Sequence, residues 1–278
     1  ARKTSLHHSK ALSKDNQIFL KSENLQLTGS FKLRGAYYKI SKLSAEEKQK
    51  GIIACSAGNH AQGVALASQK NNIKATIFIP ATAPISKVEA TRKYGAEIML
   101  IDGVYDDAYK AACEYQQKTN GVFIHPFNDE DVIAGQGTIG LEILEQLKEV
   151  DAVIVPIGGG GLISGVAFAI KQVKPDCKVY GVQAQGAGSM YQSYLNKKVL
   201  ELPHVNTFAD GTAVKKPGDL TFELCMKYVD DIVTVTDDEI ASAILALMER
   251  QKLVAEGAGA LSVAAAMFGK LPIQDKKT

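Results

Sequence analysis

Short apolar runs alternate with helical patterns through almost the whole chain. This alternation confines it to an α/β architecture with mainly parallel sheets. Ile18-Phe19-Leu20, Ile52–Cys55, Ala75–Pro80, Glu97–Ile101 and Val122-Phe123-Ile124 read as strands, and so do Ala152–Ile157, Lys178–Val182 and Asp231–Val235. Between them lie helical patterns from Phe31, through Val64, at 84–94, 105–118, 132–149, 163–173, 240–252 and 259–268. Ser44-Ala45-Glu46-Glu47 and Thr236-Asp237-Asp238-Glu239 each pair a hydroxyl with a carboxylate three residues on, the pattern of a capping box. The expected fold is two open, mainly parallel twisted sheets with flanking helices. Residues 52–130 are expected to form a small α/β domain inserted into a larger one built from 1–51 and 131–278.

A chain of 278 residues can bury the cores that such a pair of domains requires. Its formal net charge of +2 gives no reason to expect a nucleic-acid partner or an anionic membrane. No apolar run reaches the roughly 18 residues of a membrane span, and the N-terminus lacks a signal-peptide core. Cys55, Cys113, Cys177 and Cys225 are far apart and form no CxxC, so they read as reduced thiols of a cytoplasmic protein. The histidines show no metal-ligand spacing, and no metal is expected. The chain starts at Ala1 and ends in the charged tail Lys276-Lys277-Thr278, of the kind that precedes another strand. Both ends are therefore expected to be incomplete.

Three segments carry chemistry. Gly158-Gly159-Gly160-Gly161-Leu162 lies between a buried strand and a helix, where backbone N–H groups converge with no Cβ in the way. That is a phosphate site in outline. Walker A fails because Gly160-xxxx-Gly165 runs into Val166, and the dinucleotide fingerprint fails at Ser164. The second segment, Ser56-Ala57-Gly58-Asn59-His60, is another strand-to-helix turn. Its N–H groups suit a carboxylate and the Asn59 amide suits a phenolic or carbonyl oxygen, although Ser56 and Asn59 equally suit capping of the next helix. His60 reads as a packed, hydrogen-bonded histidine in preference to a general base.

The third segment is Thr28-Gly29-Ser30-Phe31-Lys32, a turn and cap that places Lys32 in the first turn of a helix. The partial positive charge there disfavours an ammonium and favours an amine that acts as nucleophile or base. An ordinary solvated lysine is the alternative. Asp129-Glu130-Asp131 and Asp237-Asp238-Glu239 sit at helix starts, where dipole complementarity accounts for them without a metal. Ser189 lacks the glycine that would complete a nucleophile elbow. Glu256, among small residues, reads either as a loop and cap or as a ligand neighbour. A phosphate cup, an amide-bearing turn and a lysine amine together suit one molecule. Pyridoxal phosphate carries an aldehyde for the lysine, a ring hydroxyl for the asparagine and a phosphate for the glycines.

Ser30-Phe31-Lys32-Leu33-Arg34-Gly35-Ala36, Ser56–Gly63, Ala134-Gly135-Gln136-Gly137-Thr138, Gly158–Leu162 and Ala209-Asp210-Gly211 follow one another in this order. In this the chain resembles the serine/threonine dehydratases of fold-type II pyridoxal-phosphate enzymes, the tryptophan-synthase-β-like fold, nearest to the catabolic threonine dehydratases. The resemblance implies elimination of water from L-threonine, and also L-serine, followed by hydrolysis of the enamine so formed to 2-oxobutanoate or pyruvate plus ammonia. It implies that Lys32 holds the cofactor aldehyde as a Schiff base and then serves as the base at Cα. Phe31 would lie against the cofactor ring, and Asn59 would bond its hydroxyl. The amides of Gly158, Gly159, Gly160, Gly161 and Leu162 would hold the phosphate, with Gly211 near the imine. Ser56, Ala57, Gly58, Asn59 and His60 would bind the substrate carboxylate.

A homodimer or homotetramer is implied as well. The family's serine that bonds the pyridine nitrogen has no counterpart before Thr278. Where racemases of the family hold a divalent cation with acidic residues, this chain has Gln183 and Ser189, a poor site for a hard cation. A serine racemase or a dedicated serine dehydratase, and a non-catalytic truncated ligand-binding fragment, stay open as alternatives.

Overall fold

The computed structural model describes residues 1–13 and 15–278. They form two compact units, one of Ala1–Arg2 with Leu25–Gly135 and the other of Lys3–Asn24 with Gln136–Thr278. No helix among the described residues is long and apolar enough to cross a membrane.

The first unit is built on a parallel four-stranded sheet. Its strands are β3 (Ile52–Cys55), β4 (Ala75–Pro80), β5 (Glu97–Ile101) and β6 (Val122–Phe123), in the order β5-β4-β3-β6. Every residue of β3 and β4 is buried, as a parallel strand covered on both faces requires. The pleat then sorts them by parity. Ile52, Ala54, Ile77 and Ile79 join one core with Leu33, Ala36 and Ile40 of α1 (Lys32–Lys42) and Val64, Ala65 and Ala67 of α3 (Asn59–Lys70). Ile53, Cys55 and Phe78 face the other way, onto Ala108 and Ala112 of α5 (Tyr105–Thr119). Ser44 caps the short α2 (Ala45–Lys50) with both bonds of the expected capping box, and α4 (Ile85–Arg92) connects β4 to β5.

Residues 25–51, grouped in the sequence reading with the later part of the chain, pack in this unit. The stripe of Leu33, Ala36 and Ile40 is buried in the same core as β3. Burial of that stripe, not proximity to the N-terminus, decides where the segment belongs.

The helix α6 (Glu130–Gln146) carries the chain into the second unit. There β7 (Ala152–Pro156), β8 (Lys178–Ala184) and β9 (Asp231–Val235) form a parallel sheet in that order. The strands β1 (Leu6–His8) and β2 (Phe19–Lys21) pair antiparallel. The last residues of the chain bridge these two sheets: Gln17 N donates to Lys276 O at 2.9 Å, and Asp151 N to Lys277 O at 2.9 Å. The core gathers Tyr180, Val182, Ala184, Val235 and Ile240 with Ala260, Leu261 and Ala264. Its helices are α7 (Gly161–Val173), α8 (Ser189–Asn196), α9 (Asp219–Tyr228), α10 (Asp237–Ala246) and α11 (Gly257–Met267). Thr236 closes the second capping box at the start of α10. Neither α8 nor α9 was evident from periodicity.

Candidate active site

In the first unit the chain turns at Gly29, whose φ of 72° suits glycine, and Ser30 Oγ accepts the Lys32 N–H at 3.3 Å. The N-cap position falls on Phe31, not on Ser30, and Lys32 is the first residue of α1. Its Nζ donates to Pro126 O at 2.9 Å and lies 5.4 Å from the centre of the Phe31 ring. Gly63 of α3 packs against the same stretch of backbone, since a Cβ there would stand 3.0 Å from both Lys32 C and Leu33 N. The two helices approach this closely only because residue 63 has no side chain.

Two histidines feel the charge of the lysine. His60 is buried, with Nε2 2.8 Å from Ile124 O, so that nitrogen carries the proton and donates it. Its Nδ1 is buried without a hydrogen-bond partner among the described residues. Burial, and then the charge of Lys32, push its pKa down to about 3. His125 accepts the N–H groups of Phe127 (3.2 Å) and Asn128 (2.8 Å) at Nδ1. Burial, followed again by Lys32, pushes this imidazole down to about 4. Both rings are neutral at pH 7. The segment 124–128 is therefore held by His60, Lys32 and its own His125.

These histidines set an acid limit on stability. An unfolded histidine titrates at roughly 6.5, far above either folded value. Between the two, the unfolded chain binds protons that the folded chain refuses, so stability is complete above that pH and is lost as pH falls. Each ring then costs about 1 kcal/mol per pH unit. The urea midpoint should drop steeply from pH 6.5 to 5, and His60→Asn should flatten that drop. An unchanged slope in the variant would remove His60 from this account.

The second predicted turn lies in the same unit. Ser56, Ala57, Gly58 and Asn59 are half-buried, and Asn59 opens α3. Ser56 Oγ accepts the Gly58 N–H at 3.1 Å, within the turn. Gly58, and neither Ser56 nor Asn59, takes the N-cap position of α3. A carboxylate is the group this helix start suits.

In the second unit, β7 runs into the four glycines and Gly160 is the N-cap of α7 at φ 97°. A Cβ on Gly160 would lie 2.7 Å from Met190 Cε and 2.8 Å from Thr221 Oγ1. The N-cap Gly160 has no side chain to cap α7, and the first turn of that helix contains no acidic residue. The loop's carbonyl groups, by contrast, are occupied. Gly158 O accepts from Gln183 Nε2 (3.5 Å), Gly159 O from Thr221 Oγ1 (2.6 Å), and Gly160 O from Ser164 N (3.0 Å). Donors without a cap and glycines without Cβ atoms fit a phosphate group. Gly211 lies beside this loop, its carbonyl 3.4 Å from where a Gly158 Cβ would be.

The structure thus gathers Phe31, Lys32 and the Ser56–His60 turn in the first unit, and Gly158–Leu162 with Gly211 in the second. Sequence reasoning missed His125, Pro126 and Thr221. His125 and Pro126 are joined to Lys32 only by folding. Thr221 belongs to α9, whose single sequence signal is the Gly218-Asp219 start. Gln183 and Ser189 are buried and neutral, Gln183 Oε1 accepting from Tyr191 N (2.7 Å) and Ser189 Oγ donating to Val214 O (2.7 Å). The acidic clusters sit at helix starts as expected, Asp129 accepting the N–H groups of Asp131 and Val132.

Residues 1–278 match the family described as pyridoxal-phosphate dependent enzymes. The chain is 56% identical over 277 residues to the L-threonine ammonia-lyase of Thermotoga maritima, covering 99% of this chain and 69% of that protein. It is 50% identical over 264 residues to the catabolic L-threonine dehydratase TdcB of Escherichia coli K12, covering 94% and 80%. The processed threonine deaminase isoform 2 of Solanum lycopersicum superposes with a TM-score of 0.96 at 42% identity, covering 99% of this chain and 77% of that one. With its fold, its glycine loop and its lysine at the start of α1, the chain belongs to the pyridoxal-phosphate-dependent enzyme family.

Proposed function

We propose that this protein is a lyase that converts L-threonine to 2-oxobutanoate and ammonia, and L-serine to pyruvate and ammonia. The observation that carries the reading is the Lys32 amine at a helix start, near two neutral imidazoles, on a chain 56% identical to a protein named L-threonine ammonia-lyase. When bound, pyridoxal phosphate supplies an electron sink that makes the α-proton of an amino acid acidic.

The chain's own residues then divide the remaining tasks. Lys32 Nζ anchors the aldehyde and, once freed, takes the α-proton. Because His60 and His125 carry no charge at pH 7, neither competes with the amine for a negative group. Phe31 backs the cofactor ring, and the Asn59 side chain bonds the ring oxygen. The amides of Ser56–His60 take the substrate carboxylate, and those of Gly158–Leu162 take the phosphate. Gly211 borders the same glycine loop. With all four cysteines free, we place the protein in the cytoplasm and, on the family resemblance, as a homodimer or homotetramer.

Gln183 and Ser189 spend their polar atoms on Tyr191 N and Val214 O, which argues against a cation-dependent racemase. The test is product analysis with the cofactor-loaded protein. 2-Oxobutanoate should form from L-threonine, with little D-serine from L-serine. D-Serine formation without 2-oxobutanoate would reverse the assignment.

A further inference from the structure

We propose that Thr221 is a positioning residue whose hydroxyl aims the glycine loop's N–H groups at a phosphate monoester. This inference rests on the reading that the Gly158–Leu162 amides hold the cofactor phosphate.

In a trans peptide the C=O of one residue and the N–H of the next point in opposite directions. No peptide bond among the described residues is cis. Whatever anchors a carbonyl therefore also aims the following N–H. In this loop three successive carbonyls are anchored, Gly158 O by Gln183, Gly159 O by Thr221 and Gly160 O by Ser164 N. The N–H groups of Gly159, Gly160 and Gly161 are consequently aimed away from those anchors, as a row of donors for one anion.

The anchors are unequal. Ser164 N is part of the helix ladder and will be present in any sequence that forms α7. Gln183 reaches Gly158 O only at 3.5 Å. Thr221 makes the short bond, 2.6 Å to Gly159 O, and the other donor to that oxygen, Gly218 N, is at 3.4 Å.

Thr221 is fully buried, so water does not replace its hydroxyl. Its single proton also faces Gly218 O at 3.0 Å, one turn back in its own chain, but Gly159 O is nearer. Ser164 Oγ in turn donates to Thr221 O at 3.2 Å, tying the start of α9 to α7. The same hydroxyl occupies the space beside Gly160, where a Cβ would meet it at 2.8 Å. Thr221 thus sets both the direction of the central peptide and the requirement for glycine next to it.

Thr221→Ala and Thr221→Ser differ only in the hydroxyl. Cofactor-free protein is titrated with pyridoxal phosphate and, separately, with pyridoxal, and each Kd is read from the absorbance of the bound aldehyde. We expect Thr221→Ser to bind pyridoxal phosphate within about threefold of the unaltered protein, and Thr221→Ala about tenfold more weakly. Pyridoxal, which lacks the phosphate, should bind the two variants alike. Thr221→Val serves as the hydroxyl-free variant if the alanine variant does not fold. Equal affinities of the alanine and serine variants for pyridoxal phosphate would overturn the proposal, as would a parallel loss for both aldehydes. If the unaltered protein binds pyridoxal as tightly as pyridoxal phosphate, the phosphate reading of the glycine loop fails first and takes this inference with it.

Discussion

Lys32→Ala should abolish the near-visible absorbance band of the cofactor-loaded protein and lower threonine turnover by at least about a thousandfold. One amine is asked both to hold the aldehyde and to take the α-proton, so its removal deletes two functions at once. Lys32 Nζ makes a 2.9 Å bond to Pro126 O from a half-buried position, and losing such a bond costs about 1 kcal/mol. The variant should therefore fold, with a melting temperature a few degrees from that of the parent at most. Lys32→Arg should fail in the same way, because a guanidinium keeps the charge but cannot serve as the amine nucleophile. Persistence of the band in Lys32→Ala would mean that another amine holds the cofactor.

Gly160→Ala should be strongly destabilising, because backbone strain and crowding act on the same methyl. The φ of 97° at this residue is a backbone conformation that an L side chain resists at about 1–2 kcal/mol. The added Cβ would also press on Met190 Cε at 2.7 Å and on Thr221 Oγ1 at 2.8 Å, for about 1–3 kcal/mol of overpacking. A fall of roughly 10 °C in melting temperature follows from the sum. Affinity for pyridoxal phosphate should fall with it, because the loop must shift to admit the methyl.

Gly58→Ala provides the contrast. That glycine is an N-cap as well, but its φ is −132° and a Cβ there would meet nothing within 4 Å. Its stability should stay within about 0.5 kcal/mol of the parent. Equal urea midpoints for the two variants would show that the glycine loop does not hold the conformation described above.

The sequence and the fold contribute differently to these expectations. The strands β3 and β4, the two capping boxes and the glycine loop after β7 were all legible along the chain. Each depends on residues that are neighbours or near-neighbours in sequence, where propensity and cap chemistry operate directly. The position of Lys32 at a helix start was legible for the same reason. Helices α8 and α9 were not, because their burial comes from contacts distant in sequence and not from a regular stripe of their own.

The residue-by-residue link to a cofactor came from the order of several short motifs, each ambiguous alone. Three things were decided only by tertiary structure. Residues 25–51 pack with β3 because Leu33, Ala36 and Ile40 share its core. The Lys32 amine meets Pro126 O and sits near two histidines held neutral by burial, an arrangement made by chain segments far apart in sequence. The glycine loop is braced from behind by Thr221, more than fifty residues on. Sequence alone determined which groups could hold an aldehyde and a phosphate. Folding determined their protonation and aim, because burial and hydrogen-bond partners do not exist until distant segments meet.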